Sequence, residues 1–523
     1  MLKYFFKRVG RGCVSVVIAV SIIMVLLFYA MDNTLIFSED EQYAKLANNQ
    51  KISYMYTTWE KYGYLDLISY NDYLNELVAK GEMDEEFKST IASIGRTAEQ
   101  DPEAAKPYIQ QYLDYCEENG YTVKRLDAVM ANSKRIATGG AAMLFAYINT
   151  PVHERVWDFF SSLLTFDDIN YVEEDIGERG LTFTWYDPAY GGEKFSPAIL
   201  GNGTLHKYLL YFDQYFPYVH QNFVKLTLGT SFSVNKGVDV FQTMTQRQGT
   251  YVPTTTYYPT GLVAESADDL HSAIYAPGSR ELNLVLADRY TDDYTNINLH
   301  KDSKSKIFYS FIISILASFF TYLLGLPLGI LMAKKKDTWV DNLGNAYVIF
   351  MIAVPSLAYY FMFKAVAVKI GLPVIFSLDN PTVLMYITPV VASLASSVAG
   401  TMKWMRRYMV DQMNSDYVKF ARAEGLSEFE IFAKHIFKNA AIPITHGLPN
   451  TIIMALSGSI MMERIYTIPG VGGLLVEAIG AYDNQVIVGV ALFYGVLSII
   501  SAVLGDITMA IMDPRISFTT KAR

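Results

Sequence analysis

The sequence predicts an α-helical membrane protein with six transmembrane helices and a large α+β domain inserted between the first and second. Three observations predict it. Hydrophobic residues make up 51% of the 523 positions and charged residues only 18%, yet they are segregated. The start of the chain, and nearly everything after residue 306, falls in uncharged runs of about 20 residues, the length that spans a bilayer. The segment 32–304 is instead charged and Tyr-rich. It holds 39 acidic and 22 basic residues, a net of −17, while the chain as a whole carries −9, which leaves +8 on the remainder. Finally, an even number of spans puts every basic segment of that remainder on one side, as orientation by positive charge requires.

The first run, Gly12–Met31, follows Lys3, Lys7, Arg8 and Arg11. It is longer than the apolar core of a signal peptide and no A-x-A site follows, so it reads as a retained helix. Ile307–Ala333 ends on Lys334-Lys335-Lys336. Asn345–Phe363 contains Pro355, Thr382–Met402 contains Pro389, and Ile444–Met462 contains Pro449. Gln485–Gly505 is the last, and continues apolar past Asp506 to Met512. Interior prolines are tolerated because neighbouring helices re-satisfy the freed backbone groups. The N-terminus, the 334–342 loop, the 403–443 loop and the tail with Arg515, Lys521 and Arg523 are the basic segments. They are assigned to the cytoplasm and 32–304 to the cell exterior. The expected domains are 1–31, 32–304 and 305–523.

The insert opens with helix-like periodicity over Tyr54–Ala79 and Ala104–Asn119. It continues with Trp157–Leu164, a strand-like Thr182–Tyr186 and an extended or looped Thr250–Gly261. Its acidity removes the basic patch that nucleic-acid binding needs. Cys13 and Cys116, one in an apolar run and one in the insert, exclude a disulfide framework. The seven histidines show no metal spacing.

No G-x-x-x-x-G-K-[S/T], H-E-x-x-H or G-x-S-x-G motif is present, so neither a P-loop nucleotide site nor a catalytic constellation is expected on this chain. Gly470-Val471-Gly472-Gly473 reads as a turn in an outer loop. Asp506 is the notable charge within a span, with Asp513 two turns further along the helix. A carboxylate there faces protein or water. Because no chain of further buried ionisable groups accompanies it, pairing with Arg515 or a neighbouring helix end is favoured over a proton or substrate relay.

The 403–443 loop is the most informative stretch. Ser415 or Asp416 is placed to cap a short helix running to Glu424, with Gly425 as its stop. Ser427-Glu428-Phe429-Glu430 is a capping box opening a second helix. There Phe429, Phe432, Ala433, Ile436 and Phe437 recur at helical spacing as one apolar stripe, and Pro443 then precedes the next span. Phe429 and Phe432 lie next to Glu428, Glu430 and Lys434, which suits docking into a groove with a polar rim.

The run Ala421-Arg422-Ala423-Glu424-Gly425-Leu426-Ser427, followed by the segment Lys434–Pro443 with His435 and Asn439, resembles the coupling loop of ABC-transporter permeases, in the form used by the oligopeptide/dipeptide permease family. Ala353-Val354-Pro355-Ser356, the segment Glu463–Gly472 with Tyr466, Pro469 and Gly470, and Asp513-Pro514-Arg515-Ile516 resemble other segments of that family. The insert, through Gly203–Phe212 and Phe216–Phe223, resembles the long B-type permeases of Gram-positive Opp/Ami peptide importers. In the general E-A-A-x-x-x-G pattern only Ala421 and Gly425 match strictly, with Lys419 and Phe420 at the first two positions. Glu424 stands where the subfamily carries a basic residue.

The resemblance implies a permease subunit of an ATP-driven oligopeptide importer. It implies a second, C-type permease, two cytoplasmic ATPases of D and F type docked on residues 415–438 of the 403–443 loop, and an external lipid-anchored binding protein that delivers peptide. ATP and Mg would sit on the ATPases and no cofactor on this chain. The implied coupling residues are Ala421, Arg422, Ala423, Glu424, Gly425, Ser427, Phe429, Glu430, Phe432, His435, Asn439 and Pro443. Pro355, Glu463, Pro469, Gly470 and Asp506 are structural or pore candidates. Alternatives are a same-family importer for a dipeptide, nickel or haem, and a membrane receptor with a ligand-binding ectodomain. The receptor leaves the loop motif unexplained. A proton-coupled transporter would need more buried carboxylates than Asp506.

Overall fold

The computed structural model describes residues 2–127, 142–173, 175–212, 219–253, 255–257, 263–265, 271, 273–275, 290–291, 299–378 and 382–512. Asp513, Pro514, Arg515 and Ile516, and Phe216–Tyr218 of the insert motif, lie outside the described residues. Among the described residues, four helices are long and apolar enough to cross a membrane: α1 (Leu2–Ala30), α2 (Lys306–Lys334), α5 (Leu384–Met413) and α10 (Asn484–Met512).

The two other expected spans are not straight. The third is a bent pair, α3 (Trp339–Ala353) and α4 (Ser356–Lys369), whose axes meet at 104°. Pro355 causes the break: it donates no N–H and drives the preceding residue out of helical geometry, and Val354 stands at φ −82, ψ 128. The fifth is displaced. The helical chain starts at Glu428, passes through a π-helical stretch, Ile431–Phe437, and becomes α7 (Lys438–Met454). Pro443 and Pro449 both lie within α7, so Pro443 does not precede the span as expected. The helix also stops short of Met462. Gly458 takes φ +69, and a Cβ there would overlap the Glu463 carboxylate. The chain turns at Gly458 and restarts as the short α8 (Ile460–Ile465) and α9 (Val471–Gly480).

Small residues let the membrane helices approach. α2 packs along α5, where a Cβ on Gly325 would fall 2.7 Å from Thr401 Cβ, and one on Gly329 2.8 Å from Met405 Cβ. Between α1 and α10, Gly12 faces Ile499 and Gly495 faces Val16. With no hydrophobic drive between helices in lipid, such backbone proximity is a main source of association.

The insert is α+β. A three-stranded antiparallel sheet, ordered β1 (Leu65–Ser69), β3 (Met143–Asn149), β2 (Thr122–Leu126), carries helices Tyr70–Ala79 and Lys106–Glu118. The continuous helical periodicity expected over Tyr54–Ala79 is interrupted by β1, because Gly63 at φ +70 ends the helix Asn48–Lys61. A strand pair joins β4 (Leu164–Phe166) and β9 (Val224–Leu226). A four-stranded antiparallel sheet follows, in the order β5 (Gly180–Thr184), β6 (Ala198–Asn202), β7 (Tyr208–Phe212), β8 (Val219–Gln221). Trp157 lies on the helix Val152–Ser161. Cys13 and Cys116 are both free.

Insert and membrane helices share one apolar core. Val20, Met24 and Phe28 of α1, Leu474 of α9 and Val486 of α10 pack with Tyr64, Phe159, Phe232 and Met244 of the insert. The Arg155 guanidinium lies 3.6 Å from the Phe28 ring centre and 3.9 Å from that of Tyr64.

Candidate functional site

The coupling segment is built on the last turns of α5. Ser415 stands at the N-cap of α6 (Asp416–Ala423), but its hydroxyl donates to the Gln412 carbonyl at 2.6 Å rather than capping. α6 ends as its sequence predicts. Leu426 N–H donates to Ala421 O and Gly425 N–H to Arg422 O, with Gly425 at φ +83. This is the paired-bond helix stop that a left-handed residue permits.

Ser427 then opens the next helix with a closed capping box. Its hydroxyl accepts from Glu430 N–H, and the Glu430 carboxylate accepts from Ser427 N–H at 3.2 Å. Across the turn Arg422 clips Glu428 with two bonds, Nε to Oε1 at 2.7 Å and Nη2 to Oε2 at 3.2 Å. The Arg422 contact holds the Glu428 carboxyl below its ordinary range, and the Ser427 bonds do the same for Glu430.

The expected single apolar stripe is divided. Ile431 and Ile436 turn inward with Ala421 and Ala440, against Met405 and Met409 of α5, and Phe432 is partly buried on the same cluster. Phe429 points away, 78% exposed, and Phe420 joins it at 71%. The π-helical stretch shifts the angular phase, so a stripe counted at 3.6 residues per turn does not survive it. Phe420 was missed by sequence reasoning because it sits at an alanine position of the general pattern. An aromatic ring at an alanine position of a short polar helix was the available signal. Ala423 and Glu424 are exposed, while His435 and Asn439 are half-buried. Tyr417 reaches the His435 carbonyl at 3.4 Å.

At the insert end of the core, Glu463 is a buried hub, 1% exposed. One carboxylate oxygen accepts from Ser310 Oγ at 2.8 Å and Ser459 N–H at 3.2 Å, and the other from Gly473 N–H at 2.9 Å. Ser310 Oγ in turn accepts from Val471 N–H at 2.9 Å. Together they satisfy orphan donors at the start of α9. A Cβ on Gly470 would fall within 2.5 Å of the Glu463 carboxylate and Ser310 Oγ. The glycine-rich run is thus a helix start as well as a turn. Pro469 offers its carbonyl to Gln248 of the insert at 3.2 Å. Tyr466 is buried, and its hydroxyl donates to Tyr360 O at 3.0 Å.

Asp506 of α10 pairs with Arg8 of α1, Nε to Oδ2 at 2.5 Å. That is the neighbouring-helix alternative to a relay, while Arg515 lies outside the described residues.

Residues 325–518 match the family described as the binding-protein-dependent transport system inner membrane component. The oligopeptide transport system permease protein AmiC of Streptococcus pneumoniae serotype 4 is 33% identical over all of this chain and 99% of its own length. The chain belongs to the family of oligopeptide ABC transporter permeases. The dipeptide transport system permease protein DppB of Bacillus subtilis is 31% identical over 38% of this chain and 64% of that one. A solved structure of the MetNI methionine ABC transporter covers 40% of this chain and 94% of its own, at a TM-score of 0.32 and 14% identity.

In this permease the candidate residues form two separate groups. The coupling residues from Ala421 to Phe432 lie at or next to the Gly425 turn, His435, Asn439 and Pro443 continue from it into α7, and Glu463, Pro469 and Gly470 gather at the opposite end. Pro355 stands apart at the α3–α4 bend, and Asp506 on α10. The segment from Glu428 through α7 joins the two groups. At about 1.5 Å per residue, α7 alone spans about 26 Å, and its end abuts the Gly458 turn on Glu463.

Proposed function

We propose that this permease forms half of the translocation pathway of an ATP-driven oligopeptide importer. A second, C-type permease supplies the other half. ATPases of D and F type dock on the coupling segment and carry the ATP and Mg, so this chain performs no hydrolysis. A lipid-anchored binding protein delivers peptide on the insert side. The coupling segment and both termini are assigned to the cytoplasm and 32–304 to the cell exterior of a multi-pass protein in the cell membrane. The distribution of basic residues supports that orientation, since Lys334–Lys336, Lys403 and Arg407 lie at the end remote from the insert. The name of the full-length pneumococcal relative supports peptide as cargo.

One observation carries the reading. Two exposed aromatic rings, Phe420 and Phe429, flank a turn fixed by the Arg422–Glu428 clip and the Ser427 capping box. Rigid aromatic anchors on a polar, preorganised turn are what a groove on a partner protein takes up. In mechanism, closure of the ATPases displaces the turn, and the helix running through α7 carries that displacement to the Gly458–Glu463 hub. The hub holds α9, where the insert and the membrane core meet, so movement at the turn opens or closes the insert side.

Purification of the wild-type complex beside a Phe420→Ser, Phe429→Ser variant tests this. Both rings are solvent-exposed, so the variant should still fold and keep its second permease while losing the ATPases. Undiminished ATPase co-purification with the variant would overturn the docking assignment.

A further inference from the structure

α3 and α5 face each other across a groove of about 640 Å³. Its two walls are helical stripes of opposite chemistry. Val348, Ile349 and Ile352 of α3 make an apolar wall, and Ile349 and Ile352 are more than half exposed. Lys403, Arg406 and Arg407 of α5 make a basic one, recurring at i, i+3 and i+4 on one face. Arg406 is engaged: it forms a two-pronged ion pair with the buried Asp341 of α3, Nε to Oδ1 at 2.5 Å and Nη2 to Oδ2 at 2.6 Å. That pair ties the two helices together near the start of α3.

Lys403 and Arg407 have no carboxylate partner among the described residues. Asp411, which also lines the groove, forms no ion pair with either. Arg407 lies 5.4 Å from the centre of the Trp404 ring, which stacks on Tyr408. Trp339, 75% exposed, opens α3 just after Lys334–Lys336. Tryptophan, tyrosine and unpaired cations at the ends of apolar helices mark the headgroup level of a membrane.

We propose that this groove binds one anionic phospholipid of the leaflet on the coupling-segment side. Its phosphodiester lies between Lys403 and Arg407, about one helical turn apart, and an acyl chain lies along Val348, Ile349 and Ile352. Charge complementarity selects this occupant. With Arg406 neutralised by Asp341, Lys403 and Arg407 outnumber the one remaining acid of the groove, Asp411, and beside an apolar wall they favour a ligand that is anionic at one end and apolar at the other. Basic pockets between membrane helices have that specificity. A free phosphate would satisfy the cations and leave the apolar wall unused. The helix of a second permease would leave two charges unpaired unless it carried matching acids.

The full-length permease, purified with whatever subunits accompany it and stripped of endogenous lipid, is placed in nanodiscs of phosphatidylcholine with and without phosphatidylglycerol. The wild type should enrich phosphatidylglycerol. A Lys403→Gln, Arg407→Gln variant should retain it roughly 30-fold more weakly, from loss of about 1 kcal/mol for each cation. Lys403→Arg with Arg407→Lys should retain it as the wild type does. Inorganic phosphate should not displace it. Should the glutamine variant fail to fold, a photoactivatable phosphatidylglycerol on the wild-type protein should label 345–353 and 403–411. Equal retention of phosphatidylcholine, undiminished binding by the glutamine variant, displacement by inorganic phosphate, labelling elsewhere, or crosslinking of Ile349→Cys to a second permease would each overturn the proposal.

Discussion

At Gly425 the backbone stands at φ +83 with no heavy atom within 4 Å of where a Cβ would sit, whereas at Gly470 the backbone is extended and a Cβ would overlap the Glu463 carboxylate and Ser310 Oγ. The first glycine is required by conformation and the second by space, and the two separate experimentally. Gly425→Ala should cost about 1 kcal/mol, the penalty of a left-handed L-residue, and Gly425→Asn less, because asparagine tolerates that region. Both should show as faster amide exchange confined to 416–426, with the rest of the protein unchanged. Gly470→Ala and Gly470→Asn should both be worse, by about 1–3 kcal/mol, and the loss should spread to α9. Equal effects of alanine and asparagine at Gly425 would show that the left-handed turn is not what the glycine supplies. Gly425 was readable from sequence because a helix stop is local chemistry. The demand at Gly470 was not, because the atom it avoids belongs to a side chain seven residues earlier in a buried hub.

Among the elements, the long uncharged runs survive within α1, α2, α5 and α10, since a bilayer imposes one length on all of them, but α1 starts at Leu2 and α5 runs on to Met413, so the basic residues expected to flank those two runs lie inside the helices. Where local backbone chemistry competes, the simple count fails. Pro355 breaks the third run and Gly458 the fifth, and the π-helical stretch 431–437 rotates the apolar stripe of the coupling segment. The close pairing of α2 with α5 through Gly325 and Gly329, a G-x-x-x-G spacing, was visible in the sequence and not used.

The insert shows a pH-dependent element. Asp167, at the end of β4, accepts from Leu205 N–H and His206 N–H, both at 2.8 Å, and contacts His206 Nδ1 at 3.0 Å. Burial works to raise this carboxyl, but the hydrogen bonds from His206 and Leu205 outweigh it and hold it below the usual range. A carboxyl lowered in the folded state stabilises above its unfolded pKa of about 3.9 and loses that contribution as pH falls toward the folded value. Acid titration of the insert's near-ultraviolet signal should therefore show wild type more stable than Asp167→Asn at neutral pH. The gap should narrow below about pH 4. A gap that stays constant through the acid range would exclude the carboxylate as its source.

Over the whole molecule, composition divided the chain into an apolar core and a polar insert, but it carried no sign that the two are joined into one body. Besides the shared apolar core, the polar part of the join centres on one buried acid in the turn between α9 and α10. Asp483 is fully buried. Its Oδ2 accepts from Ser231 Oγ at 2.7 Å and from the backbone N–H groups of Phe232, Ser233 and Val234 at 2.9, 3.0 and 3.2 Å. Next to it Asn484 donates to Tyr64 OH at 3.0 Å, and Phe232 enters the core shared with α1 and α9. A buried carboxylate is tolerable only because this loop presents converging donors. Removing it strands three N–H groups and a hydroxyl in an apolar interface. Asp483→Ala should thus release the insert, at a cost of about 3–5 kcal/mol by the measure of breaking a buried charged network. Limited proteolysis is the direct readout: cleavage within 229–240 should accelerate while α2, α5 and their mutual packing stay protected. Ser231→Ala alone should lose about 1 kcal/mol, and combined with Asp483→Ala should add little, because both remove the same bond. Additive losses, or an Asp483→Ala protein whose loop is cut no faster than wild type, would mean that the shared apolar core alone holds the insert to the membrane helices.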